Sequence, residues 1–138
     1  MYSPFQQYQN IQVTTSKPEK ILLMLYDGVV NFTSIALNRL RKGDLAGKGY
    51  YIGKAHAIVA ELMNTLDHKV APDLTADLQR LYNYLIHEYV TANATNSEKP
   101  LENALHILGI LRQAWREAVA SLPENEGISA LKRVGSGR

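Results

Sequence analysis

Apolar residues recur along most of the chain at intervals of three to four positions, which is the period of an amphipathic helix. The first predicted helix is capped by Ser16, which lies three residues before Glu19 at the spacing of a capping box. It ends at Gly43, a residue type that suits the left-handed position after a helix. Asp44 is expected to cap a second helix, which continues to about Asp67.

Two further helices are predicted in the second half of the chain. Pro72 and Asp73 mark the start of the third helix, which ends near residues 93–96. The fourth begins around Pro100 and continues to about Ser121. No stretch shows the period of two that predicts a strand. Helices of about 20 to 25 residues with short connections predict an all-α, antiparallel, up-down four-helix bundle.

This pattern divides the chain into three parts. Residues 16–121 form the predicted bundle. Residues 1–15 are too short and polar for a bundle helix, but their apolar side chains are spaced by three and suit one side of a short helical arm. Residues 122–138, which end in "RVGSGR", are predicted to be a flexible tail.

The first helix carries more apolar side chains than one packed face requires. The stripe that suits the core consists of Ile21, Leu22, Leu25, Val29, Phe32 and Ala36. A second apolar patch lies further round the same helix and consists of Leu23, Tyr26, Val30 and Leu37. The fourth helix shows a milder surplus, formed by Ile107, Ile110 and Ala114. A contiguous exposed apolar patch larger than a few hundred Å² is unusual on a soluble monomer and usually marks an interface.

Three interpretations of this surplus stay open from the helical pattern alone. In the first, the first helix contacts both of its neighbours in the bundle, and the N-terminal arm covers the remaining apolar surface. In the second, two copies of the chain form a homodimer. In the third, the surface is a groove that receives a foreign amphipathic or extended segment, and the arm is a lid that the guest displaces.

Composition narrows the class of protein. A chain of 138 residues with 46% apolar and 20% charged residues is typical of one globular domain. The absence of cysteine excludes disulfides and Cys-based zinc sites. The net charge of +2 does not indicate nucleic acid as the main partner. The N-terminus does not resemble a secretory signal, and no segment of about 18 residues is free of polar side chains, so we expect a cytoplasmic protein that is not inserted into a membrane.

Candidate chemistry is sparse, and we expect no enzyme activity, catalytic residue, metal or cofactor. The four histidines lie far apart in sequence, and "HEYVT" lacks the second histidine of a zinc-protease helix. No Gly-rich phosphate loop is present. One enzyme-like alternative is a histidine phosphotransfer domain, which is also a four-helix bundle. Its candidate phosphate acceptor is His56 in "KAHAIVAEL", but the usual Lys-Gly pair does not follow this histidine.

Four segments together resemble the family of flagellar secretion chaperones, FliS. They are "KPEKILLMLYDGVVNF", "YIGKAHAIVAELMNTLD", "LQRLYNYLIHEYVTAN" and "LGILRQAWREA", and their order and spacing match the family over about residues 8–121. The chain departs from the family before the third helix. It reads "HKVAPDLT" where the family commonly has a Gly-Gly-Glu-like turn.

The resemblance implies a function that the helical pattern cannot give. Members of this family bind newly made flagellin in the bacterial cytosol through its C-terminal segment, which is disordered when free. Binding prevents premature polymerisation and helps to deliver flagellin to the flagellar export gate. The family also has a tyrosine in a short N-terminal segment that covers part of the groove and takes part in docking to the gate. Tyr8 in "QYQNIQV" matches this tyrosine.

Within this interpretation, individual residues receive expected roles. The residues expected to face the guest are Leu23, Tyr26, Val30, Leu37, Ile107, Ile110 and Ala114. Tyr8 is expected to act as the lid, and Tyr82 and Tyr89, at the edge of the third helix's stripe, are further candidates. Asp27 is expected to face solvent or to pair with Lys54.

Overall fold

The computed structural model describes residues 17–121, which form helices and the short connections between them. The helices, numbered in chain order, are α1 (Pro18–Arg41), α2 (Leu45–Asn64), α3 (Pro72–Thr95) and α4 (Lys99–Ser121). No strand occurs among these residues, and the prediction of an all-α fold is confirmed. The predicted arm and tail lie outside the described residues.

Each helix packs against two of the others. α1 packs against α2 and α4, and α3 packs against the same two helices, so α1 and α3 occupy one diagonal of the bundle. Arg41, the last residue of α1, forms ion pairs of 2.8 Å with Glu98 and 2.9 Å with Glu102 at the start of α4. These pairs join the end of one helix to the beginning of the other, as expected for antiparallel neighbours. The predicted four-helix bundle is therefore confirmed.

The connection between α1 and α2 follows the sequence signals. Gly43 has a φ of +78°, the left-handed conformation that glycine adopts without steric cost. The Asp44 carboxylate accepts a 2.9 Å hydrogen bond from the backbone N–H of Gly47, which caps α2 as predicted. At the other end of α1, the N-cap residue is Lys17, while the predicted cap Ser16 lies outside the described residues.

A buried lysine, whose role was not predicted from the sequence, stabilises the C-terminal end of α3. Lys48 projects from the first turns of α2 and donates hydrogen bonds to the carbonyl oxygen of Asn93 at 3.0 Å and to Oδ1 of Asn96 at 2.6 Å. Asn96 itself has a φ of +55°, the left-handed conformation that ends the helix. The ammonium group thus stabilises the negative end of the α3 dipole and satisfies a carbonyl that the helix leaves unpaired.

Two polar contacts cross the centre of the bundle along the α1–α3 diagonal. The hydroxyls of Tyr26 and Tyr82 are 2.6 Å apart, and those of Thr33 and Tyr89 are 2.8 Å apart. Thr33 donates its own proton to the carbonyl oxygen of Val29, so the Tyr89 hydroxyl must be the donor to Thr33. Burial raises the pKa of Tyr26, Tyr82 and Tyr89 above the ordinary value for tyrosine, which keeps these hydroxyls protonated.

By length and composition, α1 qualifies as a helix that could cross a membrane, which the sequence analysis did not expect. Core helices of soluble proteins satisfy the same criterion. In this structure α1 buries residues mainly from Tyr26 to Leu40, and it packs against α2 and α4. The contacts of α1 within the bundle thus account for the apolar residues of its second half, while the residues 21–25 are only half-buried.

Candidate functional site

Four of the residues expected to face a guest lie inside the bundle. Tyr26, Leu37, Tyr82 and Tyr89 are all buried. The assignment of Tyr26 and Leu37 to an open patch is wrong, because both side chains are buried within the bundle. The indole N–H of Trp115 on α4 donates to the Tyr26 hydroxyl at 3.2 Å, and Tyr82 closes the opposite side.

The remainder of the predicted α1 patch borders α4. Leu23 and Val30 are half-buried, and Val30 packs against the core. Asp27 forms ion pairs with Arg116 at 2.8 Å and with Arg112 at 3.6 Å, and not with Lys54. Both arginines belong to α4, so these pairs hold α4 beside the apolar surface of α1. Much of the additional apolar surface of α1 is therefore covered by α4 of the same chain.

The outer face of α4 stays open and forms a shallow groove of about 600 Å³. Its lining residues, which we call the α4 groove, are Leu105, His106, Gly109, Ile110, Gln113, Ala114 and Glu117. Ile110 is 55% exposed, and a Cβ atom placed on Gly109 would meet nothing within 4 Å. Two predicted residues, Ile110 and Ala114, thus lie together on this face. The third, Ile107, is half-buried and packs against the core.

Polar groups border the α4 groove at its C-terminal end. The side-chain amide of Gln113 donates a 2.8 Å hydrogen bond to the carboxylate of Glu117, one turn further along the helix. An apolar strip with a polar edge is the usual composition of a protein-binding surface, since the centre excludes water while the edge stays solvated. The α4 groove can therefore bind a partner by burying apolar side chains.

A second groove lies between α2 and α3 and was not predicted from the sequence. Its volume is about 340 Å³, and the residues of this α2–α3 groove are Gly49, Ile52, Gly53, His56, Tyr89, Val90, Asn93 and Ala94. Val90 is 57% exposed, and a Cβ atom on Gly53 would meet nothing within 4 Å. The signal that could have found it is the pair of glycines four residues apart on one helix. Their neighbours on α3, however, cannot be read from local sequence.

The described residues contain no group of three or more His, Asp and Glu side chains placed to hold a metal ion. His56, the candidate phosphate acceptor, is half-buried in the α2–α3 groove, with Gly53 and Val90 beside it. Tyr8, the predicted lid, lies outside the described residues. Among residues 17–121, the α4 groove and the α2–α3 groove are therefore two candidate functional surfaces.

These two grooves lie on different sides of the molecule. The first is carried by α4 alone, and the second is carried by α2 and α3. Since α2 and α4 lie on opposite corners of the bundle, one ligand could occupy both grooves only by passing round the bundle. Such a geometry suits an extended chain with two apolar segments better than a compact ligand.

Comparison with known proteins gives matches in both sequence and structure. A family model described as "Flagellar protein FliS" matches residues 1–122. The flagellar secretion chaperone FliS of Campylobacter jejuni is 31% identical over 110 residues, which cover 80% of this chain and 86% of that protein. FliS of Bacillus subtilis is 30% identical over 119 residues, covering 86% and 88%.

A solved structure, described as the crystal structure of a flagellar chaperone from bacteria, shares the fold. It superposes with a TM-score of 0.71 at 21% sequence identity, and the match covers 87% of this chain and all of that one. The sequence matches span nearly the whole bundle and its N-terminal extension, and the structural match has the same helical architecture. The chain therefore belongs to the flagellar protein FliS family.

Proposed function

We propose that this protein is a cytoplasmic export chaperone that binds the C-terminal segment of flagellin. Family membership supports a role in flagellar secretion. The observation that carries the binding proposal is the α4 groove, where 55% of the Ile110 side chain is exposed on the outer face of the bundle. The same groove contains Ala114, the other predicted guest contact that stays open.

The α4 groove has the shape that an amphipathic helix requires. His106, Ile110 and Ala114 are spaced by four residues and form one ridge, while Leu105 and Gly109 form the row beside it. Because Gly109 has no side chain, the ridge of a guest helix can approach the backbone closely at this point. Burial of apolar area contributes about 25 cal/mol per Å², and ordering of a disordered guest costs about 2–5 kcal/mol of that gain.

The α2–α3 groove supplies a second contact for the same guest. In the proposed complex, one apolar segment of flagellin occupies the α4 groove and a second occupies the α2–α3 groove beside Val90. Linked segments bind more tightly than either one alone, because the second binds at a high effective concentration once the first is in place. Such a guest would be held away from other flagellin subunits, and polymerisation would be prevented without any enzymatic step.

Calorimetry tests the proposal. We would titrate the protein with a synthetic peptide of the C-terminal segment of flagellin from the same bacterium. Ile110→Asp places a charge in the α4 groove and should weaken binding about tenfold or more, while far-UV circular dichroism and the Tm stay unchanged. Leu74→Asp is the matched control. Leu74 is similarly exposed but lies in the first turn of α3, where a carboxylate is well tolerated.

If the Ile110→Asp variant bound the peptide as tightly as the unmodified protein, the α4 groove would not be the flagellin site. Loss of binding in Leu74→Asp would show equally that the effect of charge is not specific to the groove. Binding with a negative heat-capacity change is expected, since apolar surface is removed from water on both partners.

The proposed roles of Tyr8 and of the flagellar export gate are based on the resemblance to the family. We propose that Tyr8 covers part of the guest surface in the free protein and takes part in docking to the flagellar export gate protein. Tyr8→Ala should then increase the rate of flagellin association, as measured by stopped-flow fluorescence, and reduce flagellin secretion by cells. A homodimer of the client-free protein stays a separate prediction, which the molar mass from light scattering would decide.

A further inference from the structure

The outward surface of α2 is unusually poor in charge. The exposed residues of its first four turns are apolar or lack a side chain, and they are Leu45, Ala46, Tyr50, Gly53 and Ala57. Lys48, one of two lysines in this stretch, is buried beneath α3. Tyr50 stands at the middle of this surface with 59% of its area exposed, more than any other large apolar residue in the part of the chain described.

Around Tyr50, two aromatic rings and two cations form a continuous row across the seam between α2 and α1. The ammonium of Lys54 lies 5.4 Å from the centre of the Tyr50 ring, and the ring centres of Tyr50 and Tyr51 are 5.0 Å apart. The guanidinium of Arg39 on α1 lies 6.0 Å from the centre of the Tyr51 ring. We call these four residues the aromatic row.

The cations of the aromatic row are poorly neutralised. Lys54 has no carboxylate within ion-pair distance among residues 17–121, and Arg39 has only Asp44 at 3.9 Å, with both side chains well exposed. An exposed pair at that distance contributes little. Each cation rests on a tyrosine ring, which fixes its position before any ligand arrives. The row therefore presents two oriented positive charges on either side of an apolar aromatic surface.

We propose that the aromatic row binds an extended acidic segment of a protein partner, with acidic side chains at both ends and apolar residues between them. Successive groups in the row are 5 to 6 Å apart, close to the spacing of roughly 6.6 Å between alternate side chains of an extended chain. About five residues would thus span the row. The carboxylates would meet Lys54 and Arg39, and the apolar centre would pack on Tyr50 and Tyr51.

A helical ligand fits this row less well than an extended one. The row runs across the α1–α2 seam, and the 5 to 6 Å steps between its groups match the alternate side chains of an extended segment. The row is also separate from both grooves, since none of its members lines either one. The proposed segment is therefore a partner additional to the flagellin guest.

Single-stranded nucleic acid is disfavoured by the ring geometry. Cations beside aromatic rings also suit bases, but successive bases stack in parallel. The planes of Tyr50 and Tyr51 are nearly perpendicular, at 89°, so two neighbouring bases cannot stack on both rings at once. Two cations also fall short of the basic groove that tracks a phosphate backbone.

NMR titration of the full chain tests the proposal with defined probes. The first probe is a peptide with two glutamates on each side of a Pro-Leu-Pro centre, and the second carries lysines in place of the glutamates. A short single-stranded RNA is the third. We expect the acidic peptide to shift the signals of Tyr50 and Tyr51 and to bind more weakly as salt is raised from about 50 to 300 mM.

Substitutions then assign the contacts. Tyr50→Ala should raise the Kd of the acidic peptide about tenfold, and Lys54→Glu should raise it about fivefold. Tyr84→Ala and Lys99→Glu are matched controls, because they change an exposed tyrosine and an exposed lysine elsewhere and should leave the Kd unchanged. Tyr50→Ala should also bind the flagellin peptide normally.

Several results would overturn the proposal. These are equal binding of the lysine peptide or of the RNA, signal shifts away from Tyr50 and Tyr51, or unchanged affinity in both Tyr50→Ala and Lys54→Glu. Loss of flagellin binding in Tyr50→Ala would show that the row belongs to the client surface and would reject a separate partner. The flagellin proposal is tested separately with the Ile110→Asp variant. The proposal for the aromatic row and the flagellin proposal can therefore fail independently.

Discussion

α1 and α4 both carry more apolar side chains than one packed face requires, yet the bundle uses the two surpluses differently. On α1 the additional residues, such as Tyr26 and Leu37, are buried within the chain. On α4 the additional residues Ile110 and Ala114 stay exposed. A helical wheel counts apolar positions, but it does not say on which sides the neighbouring helices lie. An apolar surplus indicates an interface only when it points away from both neighbours.

The largest expected difference between α1 and α4 concerns the effect of substitutions on stability. Tyr26→Ala removes a fully buried ring and leaves the Tyr82 hydroxyl and the Trp115 N–H without their shared partner. We expect it to lower the free energy of unfolding by about 3–5 kcal/mol. The matched change on the other helix, Ile110→Ala, should alter it by about 0.5 kcal/mol or less. Urea denaturation measures both, and equal losses in the two variants would contradict the contrast between α1 and α4.

The buried tyrosines predict a loss of stability at alkaline pH. Burial raises the pKa of Tyr82 and Tyr89 in the folded state, so above about pH 10 the unfolded chain loses protons that the folded chain retains. Stability is then fully present below pH 10 and falls as the pH rises, by about 1.4 kcal/mol per pH unit for each tyrosine.

Denaturation of Tyr82→Phe at pH 9, 10 and 11 (about one unit apart, spanning the ordinary tyrosine pKa) should show a shallower decline than in the unmodified protein. A decline as steep in this variant would show that Tyr82 already ionises in the folded state. Tyr50→Phe, which removes a tyrosine hydroxyl at an exposed position, is the matched control.

A smaller effect is expected where α4 is held to α1 by charge. Asp27 pairs with Arg116 and Arg112, but the groups are substantially exposed, so Asp27→Asn should cost about 0.2–1 kcal/mol. The loss should shrink further at high salt, because exposed ion pairs are screened. Thermal unfolding at low and high salt checks this. A loss of several kcal/mol would show that these pairs, and not apolar packing, cover the α1 surface.

Local sequence predicted the ends of the helices better than the inner arrangement of the bundle. Gly43 and Asp44 act within one turn of the chain, so their roles can be recognised from neighbouring residues alone. Lys48 could not be recognised in this way, because its acceptors are Asn93 and Asn96, which lie some 45 residues further along. Long-range contacts of this kind depend on which helices become neighbours.

The same limit explains the errors in the candidate site. Tyr26 and Ile110 look alike on a wheel, since each widens an apolar stripe, and only the position of the next helix separates them. The α2–α3 groove escaped prediction because it is defined by missing side chains at Gly49 and Gly53 facing Val90 on another helix. Resemblance to a family predicted the class of protein, but it did not predict which apolar residues stay open.

The most direct measurement of the central claim uses isoleucine methyl groups. In a protein labelled at isoleucine δ1-methyls, the signal of Ile110 in the α4 groove is compared with that of Ile58, which packs against the core. On addition of the flagellin C-terminal peptide, the Ile110 signal should shift and saturate at the calorimetric stoichiometry while the Ile58 signal stays in place. Saturable peptide binding that leaves the Ile110 signal unmoved would contradict the account.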